Sequence, residues 1–162
     1  MSFDPSAITV KTVMSRDVAT IAGDATVEEA ARLMVGNRVS GMPVVDAQGL
    51  VVGVVTLTDV VAHRRAGSVP APPKEPQETV LYDAVDISRL LESLLHVGEQ
   101  GGEKVLQISS TRLLTVSDSA SVREATRIMS EHRVHRVLVT DASGRLAGIV
   151  SALDVVTLVA RG

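Results

Sequence analysis

Gly53-Val54-Val55-Thr56-Leu57-Thr58-Asp59 and Gly148-Ile149-Val150-Ser151-Ala152-Leu153-Asp154 carry one pattern twice, 95 positions apart. In each, a short apolar run reads as a buried strand and a hydroxyl residue ends it. An aspartate follows three positions later, where a helix opens. Extending the comparison outward at the same offset aligns residues 9–66 with 104–161 without a gap, and 20 of the 58 pairs are identical. The identities fall where structure needs them. Val27, Glu29, Ala30, Arg32 and Met34 face Val122, Glu124, Ala125, Arg127 and Met129, while Asp46, Ala47 and Gly49 face Asp141, Ala142 and Gly144. Chance pairing does not place matches this way, so the chain is a tandem duplication.

Both copies read alike. An extended piece (Val18 to Ile21; Leu113 to Val116) leads into a helix with the stripe Val27, Ala30, Ala31, Met34, the i, i+3, i+4, i+7 spacing of a half-buried helix. Thr26 and Ser121 stand as N-caps with Glu29 and Glu124 three residues on, so a capping box is expected in each copy. Two strands follow, Met42 to Val45 with Val51 to Val55, and Val137 to Thr140 with Leu146 to Val150. The glycine-bearing turn between them makes each pair a hairpin. A second helix opens at Thr56 or Ser151. The expected fold is α/β (α+β), a β-α-β-β-α unit repeated, with segments 1–66 and 104–162 separated by a connection over 67–103.

That connection has its own character. Val69 to Pro76 holds four prolines and predicts an extended spacer. From Glu78 to His96 an apolar face of Val80, Leu81, Ala84, Ile87, Leu90, Leu91, Leu94 and Leu95 predicts a helix. Packing over the shared core is the leading reading and docking a partner or second copy the sharper one; sequence alone does not separate them.

Composition narrows the function classes. Of 162 residues 45% are apolar, but only Phe3 and Tyr82 are aromatic, which disfavours base-stacking single-strand binders. A net charge of −3 without a basic run disfavours nucleic acid and anionic membranes. With no cysteine, thiolate metal sites and cysteine nucleophiles are excluded. The chain has no signal-peptide pattern and no stretch near the roughly 18 apolar residues of a membrane span, so a cytoplasmic location is expected. His63, His96, His132 and His135 show no metal-ligand spacing, and no motif places a histidine with a serine and an aspartate. Neither a metal, a required cofactor nor catalysis is expected.

The repeated Thr/Ser-x-x-Asp segment has two readings. As a helix cap, the hydroxyl and the acid satisfy orphan backbone N–H groups and suit the helix dipole. As a binding corner, a carboxylate accepts hydrogen bonds from the two vicinal hydroxyls of a ribose, and the hydroxyl residue at the helix start holds a phosphate.

With these segments, Arg38-Val39-Ser40-Gly41-Met42-Pro43-Val44-Val45-Asp46 and Arg133-Val134-His135-Arg136-Val137-Leu138-Val139-Thr140-Asp141, the chain resembles a stand-alone pair of cystathionine-β-synthase-type (CBS) motifs. The resemblance covers residues 9–66 and 104–161. It implies two motifs about a pseudo-twofold axis, two clefts between them, a homodimer, and a regulatory module that binds AMP, ADP, ATP or S-adenosylmethionine and modulates a protein target. Carried over by position, Asp59 and Asp154 take the ribose, and Thr56 and Ser151 contact ribose or phosphate. Ala19, Thr20, Leu114 and Thr115 line the sites, and backbone at Ser40, Gly41, Met42 and Pro43 and at His135, Arg136 and Val137 meets adenine. The alternative is a ligand-free dimeric scaffold in which the two motifs are helix caps alone. The chain departs from the family in having Thr58 and Leu153, not arginine, before the motif aspartates, which weakens the case for a triphosphate. Arg38, Arg133, His135 and Arg136 are either the compensating cations or solvated surface charges. Ser109 also stands where the first copy has Met14.

Overall fold

The computed structural model describes residues 4–66 and 102–161, with the side chains of 64–66 set aside. The helix expected over Glu78 to His96 and the proline spacer lie outside the described residues. Eleven named elements follow in order: β1 (Ile21–Ala22), α1 (Val27–Asn37), β2 (Gly41–Val45), β3 (Val51–Thr56), α2 (Leu57–Ala66), the short α3 (Val105–Ile108), β4 (Thr115–Ser117), α4 (Val122–Glu131), β5 (Arg136–Thr140), β6 (Leu146–Ser151) and α5 (Ala152–Arg161).

They form two three-stranded sheets, β1-β2-β3 and β4-β5-β6. In each, the first pair is parallel, joined through a helix, and the second is an antiparallel hairpin. The expected helix stripe is the buried face of α1, with Val27, Ala30, Ala31 and Met34 all in the core. Hairpin turns repeat atom for atom. Asp46 Oδ1 accepts from the N–H groups of Gln48 and Leu50, as Asp141 Oδ1 does from Ser143 and Arg145. Gly49 and Gly144 supply the left-handed residue at φ 80° and 79°. Two expectations need correction. Strand β1 starts only at Ile21, because its extent is set by pairing with Val44 and Val45 and not by local propensity. The capping box is complete at Thr26 with Glu29, but at Ser121 only the bond from Glu124 N–H to the hydroxyl is formed.

The compact units are not the two sequence halves. Of the described residues, one unit takes 19–66 and 102–112, and the other takes 4–18 and 113–161. Each repeat thus gives up its leading segment. In the first unit Ser110 and Val54 exchange both backbone hydrogen bonds at 2.9 Å, adding a rung to the free edge of β3. In the second unit Ser15 and Ile149 do the same beside β6. Val105 and Val10 are the buried anchors of these segments, each in the core of the unit that receives it.

The close approach explains two matched glycines. A Cβ on Gly53 would lie 2.7 Å from Ser109 Oγ, and one on Gly148 would lie 2.7 Å from Ser15 O and 2.8 Å from Met14 Sδ. Met14 and Ser109, which differ in sequence, do equivalent work: each packs the leading segment against a strand glycine.

Candidate functional site

Each Thr/Ser-x-x-Asp segment makes a strand-to-helix corner. At the first, Thr56 ends β3 and Asp59 sits in the first turn of α2. Asp59 Oδ2 accepts from Thr56 N–H at 2.9 Å and from Thr56 Oγ1 at 2.6 Å, while Asp59 N–H donates to Thr56 Oγ1 at 3.3 Å. At the second, Asp154 Oδ2 accepts from Ser151 N–H and Oγ, both at 2.7 Å, and Asp154 N–H donates to Ser151 Oγ at 3.2 Å. The next helical N–H is also satisfied: Leu57 donates to Ser40 O and Ala152 to His135 O, each at 2.8 Å. Both corners are therefore complete N-terminal caps.

At the second corner, cap duty and sugar recognition compete for the carboxylate only in part. A carboxylate has about four acceptor positions, and the cap bonds that Asp154 accepts both fall on Oδ2. Among the described residues Asp154 Oδ1 has no hydrogen bond. Asp59 is buried at 8% exposure, whereas Asp154 is half-buried.

The remaining candidates lie in the same unit as their corner. In the first unit Gly41 opens β2 directly opposite Thr56, with Ser40 just before it; Met42 and Pro43 are buried, so only their backbone is at hand for a ligand. Ala19 and Thr20 precede β1 and are outside the sheet. In the second unit Arg136 stands opposite Ser151, with His135 before it, and Val137 is buried. Thr115 opens β4 and is exposed, and Leu114 O accepts from Leu138 N–H at 3.1 Å. Arg38 and Arg133 have another duty: each sits in the left-handed region, at φ 53° and 52°, just beyond its helix. Among the described residues no group of three or more histidines or acids is arranged to hold a metal ion, and no helix is long and apolar enough to cross a membrane.

The family model of the CBS domain matches twice, over residues 10–65 and 105–161. The chain belongs to the CBS domain family. Among curated CBS relatives, the chloroplastic CBSX2 of Arabidopsis thaliana is 29% identical over 133 residues, 81% of this chain and 54% of that protein. The chain thus spans about half the length of that relative. YhcV of Bacillus subtilis is 27% identical over 145 residues, 90% of this chain and 81% of its own. Among solved structures, CBSX2 in complex with AMP has a TM-score of 0.68 at 24% identity, covering 96% of this chain and 98% of that one. The CBS pair of MJ0100 in complex with 5-methylthioadenosine and S-adenosyl-L-methionine has a TM-score of 0.64 at 20% identity, covering 94% and 96%. At these identities the structures establish the fold, that of a CBS pair.

Sequence reading found both corners but did not separate their two uses, since a hydroxyl residue and an acid three positions on suffice for a cap. It also missed the exchange of leading segments; Gly53 and Gly148, matched between copies inside strands, were its only local sign.

Proposed function

We propose that this CBS pair is a non-enzymatic regulatory module that binds an adenosyl ligand, AMP, ADP, ATP or S-adenosylmethionine, at its corners and passes the bound state to a protein target. The observation that carries the reading is the duplicated corner, a carboxylate beside a hydroxyl at the end of a buried strand, in a fold shared with CBS pairs solved with AMP and with S-adenosyl-L-methionine. The carboxylate takes the vicinal sugar hydroxyls, the neighbouring hydroxyl residue contacts sugar or phosphate, and backbone at Ser40 to Pro43 or His135 to Val137 meets the base. Binding regulates only through unequal affinity for two states of the module or its complex. We place homodimer formation on α5, where Leu153, Val156 and Val159 are 72%, 61% and 53% exposed along one helix.

The completed caps favour a second reading, a ligand-free dimeric scaffold. Thermal melting with AMP, ATP and S-adenosylmethionine separates the two. Ligand at about 100 times its dissociation constant adds about 2.7 kcal/mol, raising the melting temperature by about 5–10 °C. Asp59→Ala and Asp154→Ala then assign the shift to a corner. No shift with any of the three leaves the scaffold.

A further inference from the structure

The two corners match in the acid and its cap but differ in how far each is closed. Asp59 is 8% exposed, and its neighbours Leu57 and Val60 are 3% and 0% exposed in the first core. Their counterparts Asp154, Ala152 and Val155 are each half-buried. Helix α2 is held again further along, where His63 Nε2 lies 2.8 Å from Glu103 Oε2. Helix α5 has no fully buried residue. At the second corner Asp154 Oδ2 keeps the cap, and Oδ1 has no hydrogen bond among the described residues. Sugar hydroxyls can be added there with the cap intact. At the first corner the carboxylate is buried, so a sugar reaches it only by shifting the first turn of α2, which Leu57 and Val60 anchor. Releasing a helix cap weakens binding about five- to thirtyfold.

We infer that the corners fill in order: the second binds its adenosyl ligand about tenfold or more tightly than the first. This rests on the sugar-binding reading of the two acids. The order comes from packing and not from the acid, since both corners present the same pair of hydroxyl and carboxylate. At low ligand the chain is occupied at Asp154 alone, and at high ligand at Asp59 as well. The two fillings act on different helices. The first acts on the loosely held α5, and the second loosens the first turn of α2, which belongs to a core. One compound can thus be read over two concentration ranges, each through its own helix.

The test is calorimetric titration of AMP, and separately of S-adenosylmethionine, into the full-length protein. The unsubstituted chain shows a tight step of one ligand per chain, with any further step at least about tenfold weaker. Asp154→Asn keeps an oxygen for the Ser151 cap but removes the charge, and it weakens the tight step about 10- to 100-fold. Asp59→Asn changes the tight step by less than about twofold and weakens only the further one. It also lowers the melting temperature more than Asp154→Asn does, because its side chain is the buried one. If Asp59→Asn does not fold, loss of the tight step in Asp154→Asn decides by itself. Two equal steps, a tight step that Asp154→Asn spares, or one that Asp59→Asn weakens as much, overturns the order while leaving the adenosyl site standing. Failure of AMP, S-adenosylmethionine and ATP to bind the unsubstituted protein overturns the adenosyl site and the inference with it.

Discussion

Helices α2 and α5 occupy the same place in the repeat, open with the same cap, and end in different surroundings. In α2, Leu57 and Val60 are buried in the first core, and His63 Nε2 pairs with Glu103 at 2.8 Å. In α5, Ala152 and Val155 are only partly buried, no residue is fully buried, and an apolar stripe faces outward. The corner cap is set within the four-residue segments Thr56 to Asp59 and Ser151 to Asp154, so duplication copies it intact. Burial is decided by what a distant segment brings, so the copies diverge there while the hydrogen bonds of the corners and hairpin turns stay alike.

Substitutions at matched positions test how far this divergence reaches. The largest effect is expected from Gly148→Ala, whose new methyl meets the Ser15 carbonyl and Met14 at under 3 Å; overpacking against backbone costs about 2–3 kcal/mol in urea unfolding. Gly53→Ala, where a serine hydroxyl is the nearest atom, costs about 1 kcal/mol less. Equal losses would mean that the two leading segments are held equally firmly. Val60→Ala is expected to cost about 2 kcal/mol, and Val155→Ala less than about 1 kcal/mol, by the methyl groups each removes from the core. If Val155→Ala matched Val60→Ala, the homodimer placed on α5 would cover Val155 as well, and the loss should then fall with protein dilution.

Smaller differences lie on the helix surfaces. Glu28 precedes Arg32 on α1, whereas Arg127 precedes Glu131 on α4. Acid-before-base suits the helix dipole, so a double-mutant cycle should give about 0.3–0.5 kcal/mol for the first pair and less for the second. The smallest effect concerns pH. The Thr26 N–H and hydroxyl hold the Glu29 carboxyl below its usual value of 4.5. Because the folded state lowers it, its contribution is complete above the unfolded value and is lost as pH falls through the lowered one. Melting curves from pH 5 downward should therefore lose less stability in Glu29→Gln than in the parent protein.

How much the sequence disclosed follows the same division. The α1 stripe, both hairpins and the glycine turns were legible, because period, turn residues and caps are local. The corners were visible as Thr56 with Asp59 and Ser151 with Asp154, but their role was not, since a cap and a sugar site ask for the same residue types. Strand β1 was placed early, at Val18, because a two-residue parallel strand is defined by its partner. The exchange of Met14 with Ser109 beneath the two glycines was hidden for a deeper reason. An offset of 95 residues shows that two segments are alike but not which sheet each one joins.

That exchange also constrains how such a chain could have arisen. A polypeptide holding one repeat would carry an opening arm whose docking groove lay on another molecule, and its own groove would stand empty. Two copies of it would have had to trade arms to be complete. Fusing them into one gene turned that trade between molecules into a trade within a chain, after which each half was free to drift as long as it still fitted its companion's arm.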